Sequence, residues 1–186
     1  MKILAIQSSP NQDGLTSRLA QAALEGARSE QAEVELVHLN TLTIRPCQAC
    51  GNGWGQCSKV HQCIHEDDFE QLRAKIIAAD GLVFSTPVYF HDLSESAKIF
   101  LDRLRRVEWP QREQSKLRGK PVVGIAAAGG SGNGAVNGAR NLEAYMATWL
   151  GMKQVAYLAV TRPQEWQLES AKHAGAHLAQ AIKNAK

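Results

Sequence analysis

The sequence has little of what marks a membrane protein or a nucleic-acid-binding protein. No apolar run approaches the roughly 20 residues that a membrane-spanning helix needs. Lys and Arg are scattered and form no long run, although the formal net charge at pH 7 is +3. The short apolar start is followed by turn residues and not by a cleavage site. We therefore expect a cytoplasmic protein that binds neither nucleic acid nor membranes and has a modest bias toward anionic small molecules.

The motifs by which many enzymes are identified are also missing. No G-K-[ST] closes a Walker loop, no dinucleotide-binding glycine fingerprint is present, and neither H-E-x-x-H nor a Ser-His-Asp order is readable. The sequence has no internal repeat and no low-complexity segment, and its 186 residues fit one domain. These absences suit a protein whose chemistry is carried by a bound cofactor.

What is present is an alternation of strand-like and helix-like segments. Short apolar runs predict five strands, at 2–7, 33–39, 81–85, 121–127 and 154–160. Five helices alternate with them, which predicts one α/β domain over residues 1–186 with a parallel sheet covered on both faces. Asp67 is expected to be the N-cap of the second helix, and Lys98 and Asp102 are expected to form a structural i,i+4 pair on the third.

The segment 8–17 (SSPNQDGLTS) joins the first predicted strand to the first predicted helix. It supplies hydroxyl and amide donors before and at the helix start, from Ser8, Ser9, Asn11, Thr16 and Ser17. Together with free backbone N–H groups and the positive end of the helix dipole, these donors suit a phosphate dianion. An ordinary connection capped by Thr16 or Ser17 uses the same residue types, so both interpretations stay open.

Two further loops leave the carboxyl ends of apolar strands, where ligands bind in parallel sheets. Residues 85–91 (STPVYFH) place Tyr89 and Phe90 at the rim, where they suit a flat heterocycle or shield the end of the sheet. Residues 126–138 carry five glycines, which permit close backbone approach to a planar ring. A merely mobile loop would carry the same glycines.

In this order and spacing, the motifs SSPNxxGxTS, STPVYF, SxxxKxFLDR and AAAGGSGNG resemble the NADPH-dependent FMN reductases and iron–sulfur flavoproteins of the flavodoxin-like superfamily. The resemblance covers roughly residues 1–150. It implies a flavodoxin-like three-layer sandwich with a five-stranded parallel sheet of order 2-1-3-4-5. It also implies FMN as the cofactor and NAD(P)H as the co-substrate.

The same resemblance assigns residues to the FMN site. Those implied to meet the phosphate are Ser9, Asn11, Thr16 and Ser17. Those implied to border the isoalloxazine ring are Pro87, Val88, Tyr89 and Phe90. Those implied on the other side of the ring are Ala128, Gly129, Gly130 and Gly132. The family often has Arg or Lys where this chain has Asn11, so neutral donors would hold the phosphate here.

All four cysteines lie in a predicted long loop, residues 41–65, with the spacing Cys47-x2-Cys50-x6-Cys57-x5-Cys63. Four thiolates suit a 4Fe-4S cluster or a tetrahedral zinc ion, and His61 and His65 are alternative ligands. Free thiols or a redox disulfide are the third interpretation. The second and third cysteines of iron–sulfur flavoproteins are two residues apart, whereas GNGWGQ intervenes here, and all three interpretations stay open.

The resemblance implies an FMN-dependent oxidoreductase that passes electrons from NAD(P)H through FMN to a second acceptor. The acceptor is expected to be a small molecule (a quinone, a nitroaromatic, a flavin or a metal ion) or an iron–sulfur cluster. The alternatives are a non-enzymatic, flavodoxin-like electron carrier and a thiol-based redox sensor. Large aromatics in predicted loops, together with the resemblance, predict a homodimer or a dimer of dimers.

Overall fold

The computed structural model describes residues 1–162 and 164–185. Five parallel strands form the sheet: β1 (Lys2–Gln7), β2 (Glu33–His38), β3 (Gly81–Tyr89), β5 (Pro121–Ala128) and β6 (Lys153–Thr161). Their spatial order is β2-β1-β3-β5-β6, and a short strand, β4 (Asp92–Leu93), pairs antiparallel with the end of β3. The predicted flavodoxin-like class and the order 2-1-3-4-5 of the parallel strands are confirmed.

Five helices cover the sheet: α1 (Leu15–Ser29), α2 (Phe69–Ala78), α3 (Glu95–Glu108), α4 (Ala135–Glu143) and α5 (Glu165–Lys183). α4 continues into a π-helical turn, Ala144–Trp149. One core joins α1 and α5 to one face of the sheet, and a second core joins α2, α3 and the α4 region to the other. Successive β1 residues alternate between these cores, as the period-2 geometry of a strand requires.

Two details of the sheet differ from the prediction. β3 continues to Tyr89 rather than ending at Ser85, because Pro87 pairs with Ala127 of β5 and Val88 pairs with Leu93 of β4. β4 itself was not predicted, since two residues carry no detectable alternation. Within the described part of the chain, no helix is long and apolar enough to span a bilayer.

Candidate functional site

Buried hydroxyl groups fix the start of the 8–17 segment to the edge of the sheet. The Ser8 backbone N–H donates to the Ser85 carbonyl at 3.0 Å, and the Ser8 and Ser94 Oγ atoms lie 3.0 Å apart. Ser94 is also the N-cap of α3, where its Oγ accepts from the Ala97 N–H. The segment that follows β1 is therefore tied to both β3 and α3.

The start of α1 is left without a side-chain cap. Its N-cap is Gly14, and the first turn contains no acidic residue. The N–H groups of the first turn of a helix have no partner within the helix, so this end is suited to an anion. The alternative in which Thr16 or Ser17 caps the helix is wrong, because both residues lie inside the first turn.

Ser9 and Asn11 fold the segment onto itself before α1 begins. Ser9 Oγ accepts from the Asn11 N–H at 3.1 Å, and Asn11 Oδ1 accepts from the Asp13 N–H at 3.3 Å. Thr16 is buried, and Ser17 Oγ is buried without a hydrogen-bond partner among residues 1–162 and 164–185. The structure therefore places all four candidate phosphate-binding residues before or within the first turn of α1, and the hydroxyl of one of them, Ser17, has no partner among the described residues.

The turn after β3 presents aromatic side chains at the carboxyl edge of the sheet. Phe90 is fully exposed and Tyr89 partly so, whereas Pro87 is buried and Val88 is half-buried. Phe90 and His91 have φ values of 49° and 68°, in the left-handed region that non-glycine residues rarely adopt. This strained turn directs the chain back into β4 and leaves the Phe90 ring in open space.

The glycine-rich loop that follows β5 packs against this turn. Gly134 has a φ of 87°, and a Cβ there would lie 2.7 Å from the His91 Cα. Gly132 approaches the end of β6, where a Cβ would lie 2.7 Å from the Thr161 Cβ. Gly129 faces open space, with nothing within 4 Å of an added Cβ. The loop is thus held at Gly132 and Gly134, while the bare backbone at Gly129, next to β5, borders open space at the carboxyl edge of the sheet, here called the cleft.

The four cysteines line one pocket between the cysteine loop and α3, together with Arg103, Arg106 and His65. All four are free thiols, and burial raises the pKa of Cys57. Within residues 1–162 and 164–185, no three His, Cys, Asp or Glu side chains converge in an arrangement that would hold a metal ion. The structure therefore gathers the sulfur atoms around one pocket without closing them into a ligand shell.

Trp54, in the six-residue segment between Cys50 and Cys57, packs on α3. The Arg105 and Arg106 guanidinium groups lie 5.7 and 5.2 Å from its ring centroid. Arg106 also donates a hydrogen bond to the carbonyl of Gly53. Cation–π contacts and this hydrogen bond hold the inserted segment against the helix.

The predicted N-cap role of Asp67 is wrong. α2 begins at Phe69 with Asp68 as its N-cap, and the Asp67 carboxylate instead accepts hydrogen bonds from Arg103 at 2.7 and 3.0 Å. Burial alone would raise the pKa of Asp67, but hydrogen bonds from Arg103 and from two backbone N–H groups outweigh it, so the pKa lies below the usual value. The predicted pair of Lys98 and Asp102 is confirmed at 3.1 Å.

The sheet order and the loops at its carboxyl edge place the chain in the flavodoxin-like class. The sequence profile described as NADPH-dependent FMN reductase matches residues 1–167, and the chain belongs to that family. An iron–sulfur flavoprotein of Methanocaldococcus jannaschii is 34% identical over 134 residues, which cover 72% of this chain and 65% of that one. An iron–sulfur flavoprotein of Methanosarcina thermophila is 33% identical over 72% of this chain and 66% of its own length.

Solved structures agree on the fold. A flavone reductase structure superposes on the whole chain with a TM-score of 0.73 at 22% identity, and the match covers 64% of that protein. A flavodoxin from the domain Archaea gives a TM-score of 0.63 at 15% identity, with 98% of this chain and 99% of that one covered. The matched region spans just under two thirds of the length of each of these two iron–sulfur flavoproteins.

Proposed function

We propose that this protein transfers electrons from NAD(P)H through FMN to a small-molecule acceptor. The observation that carries the proposal is the uncapped start of α1, with its orphaned Ser17 hydroxyl, at the same sheet edge as Tyr89 and the glycine loop. These groups fit FMN in chemistry, because one end of the cleft suits a phosphate and the other suits a flat ring. Membership of the FMN reductase family supports the same cofactor and co-substrate.

Each part of the cleft has a distinct role in this proposal. The first turn of α1 and the Thr16 hydroxyl bind the phosphate, which fixes the position of the cofactor. Tyr89 packs at the rim of the ring, and the bare backbone around Gly129 permits close approach from the other side. Bound FMN supplies a ring that accepts a hydride and releases electrons singly or in pairs, so the protein itself needs only to bind, orient and shield.

The direct test is steady-state oxidation of NADPH and NADH by the FMN-loaded protein. We expect turnover with a quinone, a nitroaromatic or free flavin as acceptor. A protein that binds FMN but oxidises neither pyridine nucleotide with any acceptor would be an electron carrier, and the proposal would fail. The acceptor that supports the highest kcat/KM identifies the substrate class.

Replacing Thr16 by valine is expected to weaken FMN binding by about 1–3 kcal/mol, the cost of an unsatisfied buried acceptor. Valine keeps the shape of threonine and removes only the hydroxyl. Quenching of flavin fluorescence during titration of the apoprotein measures the dissociation constant. Thr148→Val, at an exposed position of the π-helical turn, is the matched control. Equal affinity in the two variants would remove Thr16 from the phosphate site.

We further propose that the four cysteines hold a thiolate-ligated metal centre, either a 4Fe-4S cluster or zinc. Their chemistry fits, they share one pocket, and relatives with 33–34% identity are named iron–sulfur flavoproteins. The ligand shell would have to close on binding, since the sulfur atoms do not converge here. Iron, sulfide and zinc analysis of anaerobically purified protein tests this proposal. Protein with none of the three and four titratable thiols supports the redox-sensor alternative instead.

We also propose that the protein is a homodimer, in which apolar side chains around the cleft are buried. Phe90 is fully exposed, and Val136 and Trp166 are 56% and 62% exposed in the first turns of α4 and α5. Light scattering is expected to give the mass of a dimer, and Phe90→Ser is expected to shift it toward the monomer. Val60→Ser, at a 57% exposed apolar position of the cysteine loop, is the control. A monomeric wild-type protein at micromolar concentration contradicts the proposal.

A further inference from the structure

Arg103 is the largest of the fully buried side chains. Its side chain is 1% exposed, as is that of Asp67, with which it forms a two-point ion pair. A second N–H of the same guanidinium donates to the Arg45 carbonyl at 3.0 Å, and the group lies over the Phe69 ring at 4.2 Å. A buried ion pair is weak evidence for stability, because apolar residues of the same volume often serve as well. This arrangement therefore calls for a second role.

One N–H donor of the Arg103 guanidinium makes no well-aligned hydrogen bond within the described residues. Arg103 Nε is buried and has no hydrogen-bond partner among residues 1–162 and 164–185. Arg103 also lines the pocket that the four cysteines share, and there the Cys63 side chain lies within hydrogen-bonding reach of the guanidinium, although no well-aligned bond to Nε forms. Buried N–H groups are nearly always paired, so an exception calls for an explanation, and a role at a redox or ion site is one of those that are known.

We propose that Arg103 is a positioning residue for an anionic sulfur centre in the cysteine pocket, to which its Nε–H donates a hydrogen bond. The acceptor is a sulfur atom, either a cysteine thiolate or the inorganic sulfide of a cluster. The inference rests on the metal centre proposed above, and it adds the residue that would orient and neutralise that centre. Asp67 holds both terminal nitrogens of the guanidinium and so leaves Nε as the free donor.

Charge supports the same assignment. A divalent cation bound by four thiolates has a net charge of −2, and a buried site must neutralise that charge. Two cations line the pocket, Arg103 and Arg106, and Arg106 is held by Gly53 and Trp54. Hydrogen bonds from outer-shell residues to metal ligands orient the ligands and tune the metal, so Arg103 belongs to this second layer of contacts.

The test uses Co²⁺ as a probe of the reduced, metal-free protein under argon. Arg103→Lys keeps a cation for Asp67, but a single ammonium cannot hold both carboxylate oxygens and also donate from the Nε position. We expect the Co²⁺ affinity to be weaker by about 10–100-fold, the usual effect of losing a hydrogen bond to a metal ligand. We also expect an altered sulfur-to-cobalt charge-transfer band. In a second arm, the iron–sulfide-reconstituted protein is expected to have a lower reduction potential in the variant, because a hydrogen bond to sulfur favours the reduced state.

The control is Arg73→Lys, which makes the same replacement in a largely buried ion pair with Glu108 that does not line the pocket. A change in Co²⁺ affinity specific to Arg103→Lys identifies a thiolate acceptor. A change confined to the potential of the reconstituted protein identifies sulfide. Equal effects of both variants, or no effect in either arm, overturn the proposal. If Arg103→Lys does not fold, the neutral double variant Asp67→Asn/Arg103→Gln takes its place.

The two proposals fail in different ways. If wild-type protein binds neither Co²⁺ nor a reconstituted cluster, the metal centre itself is wrong and this inference fails with it. If wild-type protein binds metal and Cys57→Ser abolishes binding, the centre stands. Arg103→Lys then decides the role of Arg103 alone.

Discussion

Replacing Asp67 by alanine is expected to lower the free energy of unfolding by about 3–5 kcal/mol, because it leaves the buried Arg103 charge without its partner. Both side chains are 1% exposed, so water does not compensate. Asp67 also accepts from the Arg45 N–H at 2.9 Å, which ties the beginning of the cysteine loop to the residues that precede α2. Urea unfolding followed by tryptophan fluorescence and circular dichroism measures the loss.

The matched control is Asp102→Ala. Asp102 pairs with Lys98 and accepts a hydrogen bond from the Tyr145 hydroxyl, but the Asp102 and Lys98 side chains are 37% and 40% exposed. Exposed ion pairs contribute about 0–1 kcal/mol, so this variant is expected to lose little stability. A loss for Asp67→Ala no larger than that of the control would show that the Asp67–Arg103 pair is dispensable. In that event, contacts other than the Asp67–Arg103 pair would hold the cysteine loop against α3.

The same pair predicts how stability depends on pH. The pKa of Asp67 is depressed in the folded protein, so its contribution is complete above the unfolded pKa of an aspartate, about 3.9. That contribution is lost as the pH falls through the lower, folded pKa. Wild-type stability is therefore expected to decrease more steeply below about pH 4 than that of Asp67→Asn, which has no carboxylate to protonate. Parallel curves for the two proteins contradict the assignment.

The fold was predictable because each buried strand is a short apolar run between turn residues. β1 and β5 read this way directly, and the alternation of strands with helices leaves few topologies. β4 was not predictable, since two residues form a strand only because the left-handed turn at Phe90 and His91 returns the chain to β3. Such a turn depends on its packing against Gly134 and not on local propensity.

The site was predictable in part. The residue types of the 8–17 segment and of the glycine loop indicate their chemistry, because phosphate and planar rings need hydroxyls, free N–H groups and bare backbone. The pairing of Asp67 with Arg103 was not readable, since it joins residues 36 positions apart in the chain. Asp67 precedes a helix and resembles a cap, and Arg103 lies on an amphipathic helix where an arginine normally faces water. Only the tertiary structure shows that both are buried.

Gly134→Ala is expected to have the second large effect, on both stability and FMN binding. Its φ of 87° costs about 1–3 kcal/mol for a residue with a Cβ. The new methyl group would also lie 2.7 Å from the His91 Cα, a backbone atom that cannot rotate away. Such overpacking costs a further amount of about 1–3 kcal/mol. The glycine loop must then separate from the turn after β3, which widens the ring end of the proposed FMN cleft.

Thermal unfolding with and without FMN, together with flavin titration, distinguishes the two consequences. For Gly134→Ala we expect a lower thermal midpoint in the absence of FMN. We also expect a larger dissociation constant for FMN, because binding must then bring the glycine loop back against the turn after β3. Gly119→Ala is the control, since its φ of 73° also lies in the left-handed region but an added Cβ has nothing within 4 Å. Gly119 precedes β5, at the opposite end of that strand from the glycine loop, so this variant is expected to lose stability through backbone strain alone and to keep the wild-type affinity for FMN. If both variants bind FMN equally well, contact between the two loops does not shape the flavin site.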